Sequence, residues 1–185
     1  MPLASPEIVI HETKRLVESD KRSEIRLNAN GGNSILIVCE PAMELEYVQA
    51  IEKFMSPESY EIIDLNSLLN DFIESNKTEL EGRFDLLKGS IQQVFKTPEG
   101  EEGVDLFGQI IQAISKSYEN KKIPVIIHSG ALYGSKIENI HIMENPLILN
   151  GPLPLIILYP ATKDDDKLMF LGKRPASKYR CMIID

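Results

Sequence analysis

The residues able to do chemistry fall in a few short stretches, and the most suggestive is GALYGSK, from Gly130 to Lys136. It follows an apolar run and precedes a possible helix, the setting in which backbone amides cradle a phosphate. A P-loop, though, needs four residues between its glycines, then Lys, then Ser or Thr to hold magnesium. Here three residues separate Gly130 from Gly134, Ser135 precedes Lys136 and Ile137 follows it, so a tight turn is the simpler reading. Glu138 and His141 stand three apart, which on a helix puts carboxylate and imidazole on one face, as in half of a di-iron site. The other half is missing, and a hydrogen-bonded structural histidine is the preferred reading of His141. His11 and Glu12 lack the second histidine of a zinc-protease helix, because Arg15 occupies its place. His128, directly after an apolar run, suits either partial burial or a place at the functional end of a strand. Cys39 and Cys181 lie inside apolar runs without metal-ligand spacing, as two buried, reduced thiols would. No Ser, Cys or His sits in a nucleophile elbow. Asp164, Asp165 and Asp166 read as a solvated turn ahead of a cation site. Lys173, Arg174, Lys178 and Arg180 concentrate positive charge near the C-terminal edge, the pattern of a docking surface for an acidic partner or a phosphate.

The elements that must position these residues are strands alternating with helices. Two apolar runs, 123–127 and 153–159, show no alternation of apolar and polar residues, so both of their faces should be covered by helices. SILIVCE (34–40) and YEIIDL (60–65) are the earlier strands. Pro6 after Ser5 opens a helix to about Glu18, and 20–33 ends in the loop signal NANGGN. A helix over 42–55 and another from Asn66 follow the first two strands. Thr78 with Glu81 has the form of a capping box, and its apolar spacing carries a helix on to Val94. After the loop TPEGEEG, the run from Val104 to Tyr118 marks one more helix. Strands at 168–171 and 179–184 close the chain; their connections are too short for helical crossovers, which predicts antiparallel pairing. The fold class expected is α/β, a three-layer sandwich with a mostly parallel central sheet and an antiparallel C-terminal edge, in a single domain over 1–185. In such sheets ligands and partners bind at the carboxyl ends of the strands, which singles out the loop after Ile127.

The chain has 185 residues, 43% of them hydrophobic, and a net charge of −8. That length allows a sizeable core, while the acidic balance argues against broad, sequence-independent nucleic-acid contact. The first residues do not have the form of a signal peptide, and no apolar run approaches membrane-spanning length, so a cytoplasmic protein without membrane contact is expected.

The second half also carries a pattern of segments: a strand leading to GALY (Gly130 to Tyr133), HIMEN (His141 to Asn145), the pair Tyr159-Pro160, LMFLG (Leu168 to Gly172) and the pair Tyr179-Arg180. In order and spacing these resemble the BrxB family of bacteriophage-exclusion (BREX) defence systems, with looser agreement at EPAMELEYV and IDLNSLL in the first half. Gly134 in place of a proline, Ala161 in place of a glycine and the single Tyr179 mark a divergent branch. The resemblance implies a non-catalytic accessory or adaptor subunit, without a cofactor, that works beside a PglZ-like protein of the alkaline-phosphatase superfamily and other BREX components. Tyr133, His141, Arg174, Tyr179 and Arg180 are the residues expected on its contact surface. The alternative is nucleotide or phosphate binding by the Gly130 to Lys136 loop.

Overall fold

The apolar runs without alternation are strands buried on both faces. In the computed structural model, which describes residues 5–19, 22–98, 105–164, 167–176 and 180–185, β1 (Ser34–Cys39), β2 (Tyr60–Asp64), β3 (Ile123–Ile127), β4 (Leu155–Asp164) and β7 (Met182–Ile184) form a parallel sheet in the order β2-β3-β4-β1-β7. Successive residues of β1 serve different cores: Ile35, Ile37 and Cys39 face one side, Leu36 and Val38 the other. β4 divides likewise, with Ile156 and Leu158 opposite Leu155, Ile157 and Tyr159. Burial on two faces at once is why these runs must be apolar throughout.

The helices cover the faces that the direction of travel requires. From β1 the chain crosses to the far edge at β2, and α1 (Pro6–Glu18) and α3 (Glu44–Phe54) pack on one face. It then returns through β3 to β4 with α4 (Leu65–Ser75), α5 (Lys77–Leu86), α6 (Leu106–Glu119), α7 (Asn139–Met143) and α8 (Pro146–Leu149) on the other. Opposite directions placing helices on opposite faces is the consequence of right-handed crossovers. The result is an α/β three-layer arrangement, with an antiparallel addition where β5 (Lys167–Phe170) pairs with the end of β4 and β6 (Arg174–Pro175) pairs with β5.

Several boundaries differ from those the sequence predicts. Residues 22–28 form α2 (Arg22–Asn28) rather than loop; its single buried apolar side chain, Ile25, is too little for periodicity to register. The expected helix to Val94 stops at Leu86, and a 3₁₀ turn (Ile91–Val94) follows, while the cap position of α5 is Asn76 and not Thr78. β4 continues past Pro160 to Asp164. The last strand is β7, and it pairs in parallel with β1 through Ile35↔Met182 to Ile37↔Ile184, where antiparallel pairing was expected. All of TPEGEEG after Pro98, together with Val104, Asp165 and Asp166, lies outside the described residues.

Asn33 ties the sheet to the loop before β4. Its buried side-chain amide donates to the carbonyls of Ile148 at 3.0 Å, Gly151 at 3.2 Å and Leu153 at 3.0 Å, while its backbone carbonyl accepts from Leu155 N–H at 3.0 Å. The carbonyls at the end of α8 therefore find a partner inside the protein. Because Ile157 is fully buried in the central strand, Ile157→Ala should lower the free energy of unfolding by about 2–5 kcal/mol, read by urea denaturation.

Candidate functional site

The loop after β3 turns sharply because His128 takes a left-handed conformation (φ 56°), and Ser129–Leu132 then forms a 3₁₀ turn. Ser129 anchors the turn by donating its hydroxyl to Leu158 O of β4 at 2.9 Å. Leu132 and Ile137 are buried on either side of Tyr133, which is 56% exposed. Across the loop, Leu171 packs against Gly130, with its Cδ2 3.6 Å from where a Cβ would stand, and Tyr159 stacks on Phe170 with ring centroids 4.9 Å apart. The GALY, YP and LMFLG segments, far apart in sequence, thus meet in space.

Helix α7 is held at both ends by arginines from the C-terminal segment. Glu138 caps its N-terminus in a reciprocal box: the Glu138 side chain accepts from the His141 backbone N–H, and His141 Nδ1 accepts from the Glu138 backbone N–H at 3.1 Å. The Glu-x-x-His spacing is that of a capping box, with imidazole in the usual place of Gln or Glu. Arg174 pairs with Glu138, and Arg180 pairs with Glu144, its Nε lying 3.0 Å from both carboxylate oxygens. The hydrogen bond from Arg180 holds the Glu144 carboxyl below the usual carboxylate range, against the upward pull of burial. Exposed ion pairs of this kind add little stability; they orient the short helix and its rim.

The structure therefore gathers Tyr133, His141, Arg174 and Arg180 around α7, whereas Tyr179 lies outside the described residues. The crevice between Tyr133, Glu138, Asn139, Phe170 and Arg174 has a volume of about 20 Å³, room for about one water molecule. In the loop of the phosphate-cradle alternative, the N–H groups of Ala131, Tyr133 and Ser135 donate to backbone carbonyls, that of Ile137, just beyond it, to Ser135 Oγ, and that of Glu138 to His141. Lys136 is exposed, in a left-handed conformation of its own (φ 61°).

A second cluster occupies the carboxyl ends of the strands. His128 Nδ1 lies 2.8 Å from Asp64 Oδ1, and the same carboxylate caps α4 through Asn66 N–H at 2.9 Å and accepts from Ser67 at 3.2 Å. Burial alone would raise the Asp64 pKa, but the hydrogen bonds from His128, Asn66 and Ser67 and the nearby imidazole bring it below the ordinary value. Burial raises the neighbouring Glu44, with His128 pulling the other way. The pair can hold and orient a proton, yet among the described residues no hydroxyl or thiol hydrogen-bonds to His128. Cys39, at the end of β1, is no substitute, because burial, Glu44 and Glu40 push its thiol up to about 12. Burial also pushes Cys181 to about 12. Among the described residues, no group of three or more His, Cys, Asp or Glu is placed to hold a metal ion, and no helix is long and apolar enough to cross a membrane. Sequence reasoning singled out His128 but not its partner, since Asp64 looks like an ordinary helix cap. No family model, curated protein or solved structure matches the chain.

Two predictions follow from this geometry. His141 must carry its proton on Nε2, and burial, with Lys96 and Arg174 outweighing Glu138, places its pKa below the ordinary 6.5. Its contribution to stability is complete above that value and is lost as pH falls through the lowered pKa. Imidazole ¹⁵N shifts should show the Nε2–H tautomer and a midpoint under 6.5; a higher midpoint contradicts the assignment. In addition, a Cβ at Gly32 would fall on the Arg180 carbonyl, so Gly32→Ala should cost about 1–3 kcal/mol in thermal unfolding and should broaden the Arg180 side-chain resonance.

Proposed function

We propose that this protein is an accessory or adaptor subunit of a BREX-type phage-defence complex, and that it docks a PglZ-like partner through the surface around α7. The observation that carries the reading is the shape of the site. Tyr133 and Arg174 line a crevice of about 20 Å³, against roughly 300–1,000 Å³ for pockets that enclose small molecules, while His141 and Arg180 hold the two ends of α7 beside it. An exposed tyrosine flanked by ordered arginines is instead the composition of a protein contact. The GALY, YP and LMFLG segments pack together beneath this surface, with Leu132, Tyr159 and Phe170 buried.

Non-catalytic action is supported by chemistry as well. Among the described residues no hydroxyl or thiol hydrogen-bonds to the imidazole of the Asp64–His128 pair, and the amides of Ala131, Tyr133 and Ser135 in the Gly130 to Lys136 loop donate to backbone carbonyls. A protein that positions another enzyme needs neither a nucleophile nor a phosphate cradle.

The chain should co-elute with a PglZ-type protein of the same defence locus in size-exclusion chromatography at micromolar concentration. Tyr133→Ala combined with Arg174→Ala should weaken the complex by about tenfold or more, the size of a hot-spot loss, while leaving the thermal midpoint nearly unchanged. Absence of any complex with both partners folded would count decisively against the proposal.

A further inference from the structure

β2 is an edge strand whose outer side is open among the described residues: it pairs only with β3. The bond from Ile123 N–H to Ser59 O sets the phase of that ladder. In a parallel pair, alternate residues turn their peptide groups toward the neighbour, so Glu61 and Ile63 face β3 while Ile62 turns its N–H and C=O outward. Natural edges are usually blunted by Lys, Pro or a very short strand. β2 has neither Lys nor Pro across its five residues, whereas β7, at the opposite edge, is only three residues long.

Beside this edge runs a groove of about 440 Å³ between α4 and α6, much larger than the 120 Å³ recess beside β7. Its apolar floor is Ile63, Leu68 and Ala113, and its walls carry Glu61, Asp64, Asp71 and Lys116. Lys122 holds Glu61 at 3.1 Å and His128 holds Asp64, yet carboxylates outnumber lysines around the groove even with Lys122 counted. Asp71 is exposed on α4, and no ion pair or hydrogen bond engages its carboxylate among the described residues.

We infer that the edge of β2 is a strand-addition site for an extended segment of the partner protein that carries alternating apolar and basic residues. Backbone pairing would come from Ile62, apolar side chains would enter the groove, and a basic residue would reach Asp71. A second copy of this chain is the wrong occupant. Two-fold pairing of β2 with itself would bring together two edges that each carry Glu61, Asp64 and Asp71. The inference rests on the adaptor reading, since it supplies the partner, but it concerns a different surface from α7.

The test is the affinity of the PglZ-type protein for the native chain, Ile62→Val and Ile62→Pro. Because the Ile62 N–H points away from β3, proline at this edge removes the outward donor and spares the β2–β3 ladder. Ile62→Val should bind like the native chain and Ile62→Pro about tenfold or more weakly. If circular dichroism shows that Ile62→Pro does not fold, Asp71→Lys carries the test, with a loss of similar size expected and none overturning the inference. Native binding with no loss in the folded variant overturns strand addition and leaves the adaptor reading standing. No binding by the native chain overturns both.

Discussion

Everything at the candidate surface depends on the ladder between β1 and β4. Six consecutive pairs, from Ser34↔Leu155 to Cys39↔Pro160, run through residues that water scarcely reaches. With β3 on its other side, β4 has no freedom to slip, because a one-residue shift would exchange the side chains of both cores. The strand then leaves the parallel sheet without breaking, and Ala161 to Asp164 become the template for β5. The position of the hairpin is thus inherited from the centre of the protein. That inheritance puts Phe170 and Leu171 over the loop after β3 and sets Arg174 against the cap of α7.

Much of this was legible in the sequence where burial dictates composition. Apolar runs without alternation can only be strands covered on both faces, and 123–127 and 153–159 announced themselves that way. The extension of β4 did not, because Pro160 reads as a terminator. It falls on the last rung shared with β1, and its carbonyl still accepts from Leu171 N–H at 2.9 Å, so little is lost by its missing donor. The parallel pairing of β7 was also hidden. The steps from Pro175 to Met182 can span at most about 25 Å, enough to return along the sheet without a helix. Gly32 against Arg180 and Cys181 in the core are the contacts that hold the returning chain, and neither has a local signature.

The site shows the same division. Glu138-x-x-His141 was visible as a spacing, but whether it holds a metal or caps a helix depends on what else is nearby. The box closes locally, and Arg174 arrives from a distant segment. The Asp64–His128 pair and the open edge of β2 are products of strand order, which joins residues 64 apart. GALYGSK had the composition of a phosphate loop, and only the hydrogen-bond pattern reveals that the amides of Ala131, Tyr133 and Ser135 are engaged by backbone carbonyls. A basic cluster near the C-terminus was legible as charge; its division between Glu138 and Glu144, one at each end of α7, was not.

The central claim is that the surface around α7 is a docking face for a protein. Hydrogen exchange of the backbone amides, measured with and without a saturating PglZ-type partner, tests it most directly. The account predicts slowed exchange over Leu132 to Glu144 and over the β5–β6 hairpin in the bound state. A partner that binds and leaves those amides unprotected, or that does not bind at all, would contradict it.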